Sequence, residues 1–212
     1  TGFDDMLAGY RRFRAQNWAG QRDRWAQLRE GQSPRVMVIA CSDSRVDPAQ
    51  IFDTHPGEIF VVRNVGALVP PFETTPGRHG VSAALEFAVQ FLKVEEIVVM
   101  GHGSCGGCNA ALHQNLAGAA PGEGGFISDW IAMLAPEREK VVHAHPDIHS
   151  AAAAQAMEFA AVGVSLANLR TFPCVHALEA KGKLRLIGSY FAVRDGILHL
   201  LDEGSGRFAP LS

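Results

Sequence analysis

The sequence predicts an α/β domain with a mostly parallel central β-sheet, an antiparallel edge strand and flanking helices. Short apolar runs of strand length alternate with longer segments of helical period, which is typical of parallel sheets joined by right-handed crossovers. The runs are apolar throughout, so both faces of these strands are expected to be buried. Near the carboxyl end, an Asp195-Gly196 turn separates two apolar runs and predicts an antiparallel hairpin.

Two helices are expected before the first strand. In the first helix, apolar side chains recur at helical spacing: Phe3, Met6, Leu7, Tyr10 and Phe13. The second, shorter helix carries Trp25 and Leu28 and ends at Gly31. Because these helices precede any strand, they must pack on the outside of the later sheet or on a neighbouring subunit. Their aromatic content favours the neighbouring subunit.

The remaining elements alternate as far as the hairpin. Strands are predicted at residues 35–40, 59–62, 96–101, 184–193 and 197–201, and helices at residues 79–92, 106–116, 126–134 and 151–169. The stretch at residues 118–125 is rich in glycine and is predicted to be a loop. We therefore expect a single domain over residues 1–212, with an α/β core at residues 35–202.

The composition excludes several classes of protein. With 212 residues, of which 47% are hydrophobic, the chain can bury the core of one domain. Only 19% of the residues are charged, which is below the usual share, so part of the surface is expected to be buried in a homo-oligomer. The net charge of -3 argues against nucleic acid as a partner. No apolar run reaches the roughly 20 residues of a membrane span, so no membrane partner is expected.

The four cysteines are too few for a disulfide scaffold. Their chemistry is therefore expected to be metal binding or catalysis in a reducing compartment. No charged-then-apolar leader opens the sequence, which predicts a cytoplasmic protein. An organelle protein whose transit peptide has been removed would look the same.

Two short motifs carry the candidate chemistry. The motif CSDSR at residues 41–45 directly follows the first strand, and HGSC at residues 102–105 directly follows the third. Ligand sites in open α/β sheets form beyond the carboxyl ends of the strands, so both motifs are expected to meet in one crevice. Cys41, His102 and Cys105 then supply three ligands of the kinds that zinc prefers. The fourth position stays open, which is the pattern of a catalytic site.

The other cysteines and histidines are interpreted more plainly. Cys108 forms a Cys-x-x-Cys pair with Cys105, as in zinc knuckles and redox proteins, but a small buried residue on the first helical turn is the favoured interpretation. Cys174 has no partner motif and is interpreted as structural. Three further histidines could form a second metal site or a proton shuttle, although a polar connector between helices is favoured: His143, His145 and His149.

Further short motifs occur in order along the chain: GQSP at residues 31–34, PGE at 56–58, FVVRN at 60–64, VPP at 69–71 and ALEFAV at 84–89. With CSDSR and HGSC, they make the chain resemble the β-class carbonic anhydrases over about residues 3–202. The resemblance implies a mostly parallel sheet flanked by helices. It also implies that residues 1–30 are dimerisation helices, which pack on the neighbouring subunit, and that dimers often pair into tetramers.

The same resemblance implies which residues carry the activity. One zinc ion per subunit is implied on Cys41, His102 and Cys105. Asp43 is implied to orient a zinc-bound hydroxide by accepting its hydrogen bond, while Arg45 holds Asp43. The implied substrate pocket has one polar contact, three apolar walls and one backbone donor: Gln32, Phe60, Val65, Phe87 and Gly106.

The implied reaction is the reversible hydration of carbon dioxide to bicarbonate and a proton. Val38 and Phe191 stand where one subgroup of the family has the Trp and Tyr of an inhibitory bicarbonate pocket. The chain is therefore expected to belong to the plant-type, open-site subgroup, although Phe87 stands where that subgroup often has Tyr. Because two thiolates cancel the charge of zinc, activity is expected to rise through alkaline pH.

Two alternatives remain open at the level of sequence. One is hydrolysis of carbonyl sulfide or carbon disulfide on the same fold, because both substrates are also linear and apolar. The other is a non-enzymatic zinc-binding or redox-sensing module built on Cys105 and Cys108, which would not require Asp43 or Arg45.

Overall fold

The computed structural model describes residues 1–211, which fall into two units, Thr1–Ser33 and a larger unit that begins at Pro34. The first unit consists of helix α1 (Phe3–Arg12), a wider π-helical continuation of it, and helix α2 (Arg22–Glu30). Acidic residues in the first turn of α1 and basic residues in its last turn complement the helix dipole.

The helices of the first unit leave an apolar face uncovered. Phe3, Met6 and Tyr10 of α1 are 71%, 62% and 56% exposed, respectively. Within the unit, the ring of Phe13 packs edge-on against Trp25 at a centroid distance of 6.0 Å. The two predicted helices are thus present, and the apolar side chains of α1 remain exposed to solvent.

The larger unit is built on a six-stranded sheet in the order β2-β1-β3-β4-β5-β6. The strands are β1 (Val36–Cys41), β2 (Ile59–Asn64), β3 (Glu96–His102), β4 (Arg185–Ala192), β5 (Ile197–Asp202) and β6 (Arg207–Pro210). The first four strands are parallel, whereas β5 and β6 pair in the antiparallel sense. This confirms the predicted fold class. Strand β6 was not predicted and extends the sheet beyond the hairpin.

Helices surround this sheet. They are α3 (Pro48–Ile51), α4 (Gly80–Glu86), α5 (Gly106–His113), α6 (Gly125–Ile131), α7 (Ala135–Ala144), α8 (Ala151–Leu169) and α9 (Pro173–Glu179). A π-helical turn prolongs α4 to Leu92. Helix α5 ends three residues before the predicted boundary, because Gln114 takes a left-handed conformation with φ of +54°. Helices α3, α7 and α9 were not predicted.

The central strands β1 and β3 are buried on both faces. Met37 and Ile39 of β1 point into one apolar cluster, whereas Val38 and Ala40 point into the other. Helix α8 packs on β3 and β4. It is the one helix within residues 1–211 that is long and apolar enough to cross a membrane, and eight of its 19 residues are buried in the core.

The strand order determines where a ligand can bind. Strand β2 pairs with one edge of β1, and β3 pairs with the opposite edge of β1. Such an arrangement opens a crevice beyond the carboxyl ends of the two central strands. Cys41 is the last residue of β1 and His102 is the last residue of β3, so both motifs end at this crevice.

Candidate metal centre

Three buried donors meet beyond the ends of β1 and β3. Cys41 and His102 end these two strands, and Cys105 is the N-terminal cap of α5. One ligand atom of each residue lies within 4.8 Å of the other two, and the two Sγ atoms are 3.9 Å apart. Within the described part of the chain, this is the one group of three or more metal-ligating side chains.

The imidazole of His102 is prepared for a metal ion. Its Nδ1 lies 3.0 Å from the carbonyl oxygen of Gly103. A carbonyl can only accept, so Nδ1 carries the proton and the neutral ring keeps its lone pair on Nε2. Nε2 is buried and has no hydrogen-bond partner in the structure. A buried polar atom without a partner costs free energy, which a metal ion at this point would remove.

The two thiols also fit a divalent cation. The hydrogen bond with Cys105, together with burial, raises the pKa of Cys41 to about 12. The pKa of Cys105 is raised to about 12 as well, chiefly by its contact with the Cys108 thiol and by burial. Deprotonation of both groups near neutral pH therefore requires a nearby positive charge. Two sulfur donors and one imidazole nitrogen are the ligands expected of zinc with an open fourth position.

A carboxylate–guanidinium pair stands beside the donors. Arg45 donates from Nε to Asp43 Oδ1 at 2.9 Å and from Nη2 to Oδ2 at 2.7 Å, and its backbone amide donates to Oδ1 at 3.0 Å. The Arg45 hydrogen bonds hold the pKa of Asp43 well below its usual range, so the carboxyl is ionised. Nη2 of Arg45 also donates to the carbonyl of Ser104 at 2.9 Å, which ties the CSDSR motif to HGSC.

A second arginine fixes the backbone of the first motif. Arg63 of β2 donates to the carbonyl oxygens of Cys41 and Asp43 at 2.9 and 2.6 Å, and to the carboxylate of Asp47 at 3.1 Å. The sequence analysis included Arg63 only as part of the FVVRN motif and assigned it no role at the site. Its role in holding this loop depends on the pairing of β1 with β2, which the residues of either strand alone do not reveal.

A short loop after β2 supports Cys41 from another direction. The amide of Gly66 donates to Cys41 Sγ at 3.4 Å. The preceding carbonyl, that of Val65, accepts a hydrogen bond from the indole of Trp130 at 2.8 Å. A Cβ on Gly107 would lie 2.7 Å from Val65 Cγ1, so only glycine allows α5 to approach this loop so closely.

Sequence reasoning also missed Glu158 of α8. Its Oε1 accepts from the amide of Cys105 at 3.1 Å, and its Oε2 accepts from the hydroxyl of Tyr190 at 2.8 Å. Glu158 is the single charged residue of the apolar segment Ala151–Leu169, and it falls on the buried face of that helix. This isolated charge was a signal that could have singled it out.

The apolar residues assigned to the substrate pocket lie on three different segments: Phe60 on β2, Val65 in the loop after β2 and Phe87 in the helical segment after α4. Val65 lies against α5 near the donors, whereas Phe60 pairs with Met37, four residues before the level of Cys41. At about 3.3 Å per residue, Phe60 is roughly 13 Å along the sheet from that level. Phe87 lies beside Phe60, with a centroid distance of 5.9 Å. Within one chain, these two rings are therefore not brought to the metal centre.

The other two pocket residues are placed as follows. Gly106 is the first residue of α5, where backbone amides have no intrahelical acceptor. Gln32 belongs to the first unit, and its assignment to the pocket remains a prediction.

The remaining cysteines and histidines lie outside the donor group. Cys108 is buried on the first turn of α5 and contacts the Cys105 thiol, as the favoured interpretation predicts. His149 does not join His143 and His145 in a ligand group among residues 1–211; its ring stacks on His113 at 4.8 Å. His143 lies in helix α7, so the segment interpreted as a connector is partly helical.

Comparisons with known proteins agree with this geometry. The sequence profile of the family described as carbonic anhydrase matches residues 36–198. A carbonic anhydrase of Pseudomonas aeruginosa is 36% identical over 208 residues, covering 98% of this chain and 91% of that protein. The solved structure of the β-carbonic anhydrase CcaA superposes with a TM-score of 0.90 at 29% identity, covering 99% of this chain and 92% of that chain. A structure described among tetrameric β-carbonic anhydrases from Sordaria macrospora superposes with a TM-score of 0.76 at 25% identity, covering 99% and 96%.

Proposed function

The chain belongs to the β-class carbonic anhydrases, and we propose that it catalyses the reversible hydration of carbon dioxide to bicarbonate and a proton at the centre formed by Cys41, His102 and Cys105. The observation that carries this proposal is the convergence of three buried donors beside an ionised carboxylate. One donor atom, Nε2 of His102, has a free lone pair and no protein partner.

The chain's own residues would hold one zinc ion through two sulfur atoms and Nε2 of His102. When bound, zinc acidifies a water molecule and so supplies the nucleophile for hydration. The protein holds its donors ready in two ways. The Gly103 carbonyl fixes the tautomer of His102, and the Gly66 amide donates to Cys41 Sγ, which favours the thiolate.

Asp43 is the group that orients the nucleophile in this proposal. Three of its lone-pair positions are used by Arg45, two on Oδ1 and one on Oδ2. One position on Oδ2 remains, and an ionised carboxylate can only accept a hydrogen bond. Asp43 therefore accepts a hydrogen bond from the O–H group of the nucleophile, which turns an oxygen lone pair toward carbon dioxide. Arg45 keeps the carboxylate ionised and in place.

The remaining parts of the site are proposed to come from a second copy of the chain. Phe60 lies too far along β2 from the level of Cys41 to wall the centre of its own chain, and Phe87 of the segment after α4 lies beside Phe60. Both rings are partly or largely exposed and could wall the centre of a neighbour. The exposed apolar face of α1 and the tetrameric relatives from Sordaria macrospora also support a homo-oligomer. Gln32 is assigned to the same shared pocket.

Two further assignments complete the proposal. The substitutions at Val38 and Phe191 support the plant-type, open-site subgroup. The four unpaired cysteines support a reducing compartment, and we assign the enzyme to the cytoplasm.

The experiment that tests the function is stopped-flow hydration of carbon dioxide. The zinc-loaded protein, the chelated protein and the chelated protein with zinc restored are compared. We expect fast hydration in the first and third samples only. Absence of activity in a protein shown to contain one zinc per subunit would overturn the proposal. Carbonyl sulfide, tested in parallel, shows whether the pocket prefers that substrate.

A further inference from the structure

A buried carboxylate braces the ligand turn, which we define as residues 102–105. Glu158 is 5% exposed and accepts from the Cys105 amide at 3.1 Å. Its other oxygen accepts from the hydroxyl of Tyr190 at 2.8 Å, and Tyr190 is itself buried. None of these hydrogen bonds takes part in the hydration chemistry proposed above, so they require a separate explanation.

The charge of Glu158 is costly to keep in the interior. Burial raises the pKa of Glu158 above its ordinary value, and the hydrogen bonds from the Tyr190 hydroxyl and the Cys105 and Ser104 amides only partly oppose this shift. Each of these partners is a donor, which suits an ionised carboxylate because that group can only accept. Stability alone does not explain such a group, because an apolar residue of similar volume is often equally stable at a buried charged position.

The residues on both sides of His102 are glycines, and the packing around the ligand turn leaves no space for a side chain at either position. A Cβ on Gly101 would lie 2.6 Å from Val162 Cγ2 of α8. A Cβ on Gly103 would lie 3.0 Å from the hydroxyl of Tyr190. Glycines on both sides of His102 thus allow α8 and Tyr190 to approach the backbone of the turn.

The backbone of the turn is also held in an unfavourable conformation. Ser104 has φ of +59°, in the left-handed region that residues other than glycine rarely adopt. Such a conformation persists only where the surroundings fix it. Arg45 holds the carbonyl of Ser104, and Glu158 holds the amide of the next residue. Because Ser104 lies between two donors, its conformation determines how His102 and Cys105 are placed relative to each other.

We propose that Glu158 is a positioning residue of the metal centre. It fixes the ligand turn so that His102 and Cys105 present their donor atoms to the same point as Cys41. Tyr190 holds the second oxygen of the carboxylate and keeps Glu158 in place. This inference rests on the proposed zinc centre, and it assigns Glu158 no direct contact with substrate or metal.

Three variants separate positioning from packing. Glu158→Met keeps the length of the side chain but leaves the Cys105 amide without an acceptor. Glu158→Gln can still accept from that amide, while its NH2 group donates to the hydroxyl oxygen of Tyr190. Glu179→Gln is the matched control, because its carboxylate pairs with Arg170. A packing role predicts that methionine is tolerated at least as well as glutamine, whereas a positioning role predicts the reverse order.

The decisive measurement is zinc affinity, determined by competition with a chromophoric chelator. We expect a loss of about 10- to 100-fold in Glu158→Met, a smaller loss in Glu158→Gln and no change in Glu179→Gln. With cobalt in place of zinc, the absorption bands that report ligand geometry should shift in the same order. The proposal would be overturned if Glu158→Met bound zinc with wild-type affinity. It would also be overturned if Glu158→Gln lost as much zinc affinity as Glu158→Met.

Two safeguards keep the test decisive. If Glu158→Met does not fold, Tyr190→Phe replaces it, because this variant keeps the carboxylate and removes its second anchor. An affinity loss in Tyr190→Phe then supports positioning, and unchanged affinity contradicts it. The proposed function and this inference fail on different results. If the wild-type protein does not bind zinc, the proposed function is wrong. If the wild type binds zinc and the variants bind it equally well, only this inference is wrong.

Discussion

The guanidinium of Arg45 meets the carboxylate of Asp43 edge to edge, with Nε 2.9 Å from Oδ1 and Nη2 2.7 Å from Oδ2. The same Nη2 reaches the carbonyl of Ser104 in the second motif. One side chain therefore keeps the orienting carboxylate ionised and joins the two segments that carry the donors. Exposed ion pairs usually contribute little to stability, but this pair has bidentate geometry and a defined position in the site.

Replacement of Asp43 by asparagine should leave zinc bound and slow turnover. The amide can turn an N–H group toward the nucleophile, so the acceptor that orients it is lost. We expect kcat to fall by about 10²- to 10³-fold, the usual loss when one preorganised hydrogen-bonding group at the reacting atoms is removed. Stopped-flow hydration and zinc analysis provide the measurement. Asp202→Asn, which changes a carboxylate that caps the turn after β5, should keep full activity. A fully active Asp43→Asn enzyme would remove Asp43 from the mechanism.

Replacement of Arg45 by glutamine should change how stability depends on pH. Arg45 lowers the folded-state pKa of Asp43 from its ordinary value of 3.8, so the stabilisation is fully present above that value and is lost as pH falls toward the lower folded pKa. The difference in unfolding free energy between wild type and Arg45→Gln should therefore be larger at pH 7 than at pH 3. Denaturant unfolding of the metal-free proteins measures it.

A double-mutant cycle controls the Arg45 experiment. In a background that already carries Asp43→Asn, the pH dependence contributed by Arg45 should disappear. If Arg45→Gln lowers the free energy of unfolding by the same amount at pH 7 and at pH 3, then Arg45 does not stabilise the folded protein through the ionised carboxylate of Asp43.

Replacement of the two adjacent glycines of α5 by alanine should change the stability of the protein by different amounts. A Cβ on Gly107 would lie 2.7 Å from Val65 Cγ1 and 3.3 Å from the Gly66 amide nitrogen, whereas a Cβ on Gly106 meets nothing within 4 Å. Gly107→Ala should destabilise the protein by about 1–3 kcal/mol through overpacking. Gly106→Ala should be neutral or stabilising by up to about 1 kcal/mol, because alanine favours the helix. Unfolding of both metal-free variants tests this order, and an equal effect would contradict the close contact.

The rate of hydration should rise as the solution becomes more alkaline. Two thiolates and a neutral imidazole cancel the charge of a divalent cation, so this centre acidifies water less than a centre with three histidines does. We expect kcat to increase from about pH 7 toward about pH 9 in a pH–rate profile. A pH–rate profile that is already flat from about pH 6 would show that the charges of the donor side chains do not control the acidity of water at this centre.

Subunit mixing should reveal whether Phe60 acts in a neighbour's site. Cys41→Ser removes one donor and Phe60→Ala removes one proposed wall, so each homo-oligomer should be slow. A heterodimer of the two contains one centre with all donors and an intact wall from the partner. It should recover roughly half of the wild-type activity, because one of two symmetry-related sites is complete. Differently tagged, co-expressed chains provide the sample, and no recovery would place Phe60 outside the shared pocket.

The fold was predictable where local pattern and tertiary environment agree. Strands β1 and β3 were predicted correctly because both of their faces are buried, so their sequences are apolar almost throughout. Helix α7 was missed because Val141 is its single buried residue, so no apolar stripe marks it. Strand β6 is short and ends in proline, which gives a weak strand signal although it pairs with β5.

The metal donors were predictable for a related reason. Cys41 and His102 each follow an apolar strand directly, and the parallel arrangement brings such positions to one edge of the sheet. The supporting contacts were not predictable, because each depends on which distant elements become neighbours. Glu158 reaches Cys105 only through the packing of α8 on β3. The separation of Phe60 from Cys41 follows from the register of β2 against β1.

The adjacency of β1 and β3 has a consequence for how the metal is acquired during folding. The two strands are neighbours in space, but the whole of β2 and α4 lies between them in sequence. A nascent or partly folded chain that has not closed this crossover holds Cys41 apart from His102 and Cys105. Long-range pairing of this kind forms slowly compared with helices. High-affinity metal binding therefore requires β1 and β3 to be paired, so it reports that the centre of the sheet has formed.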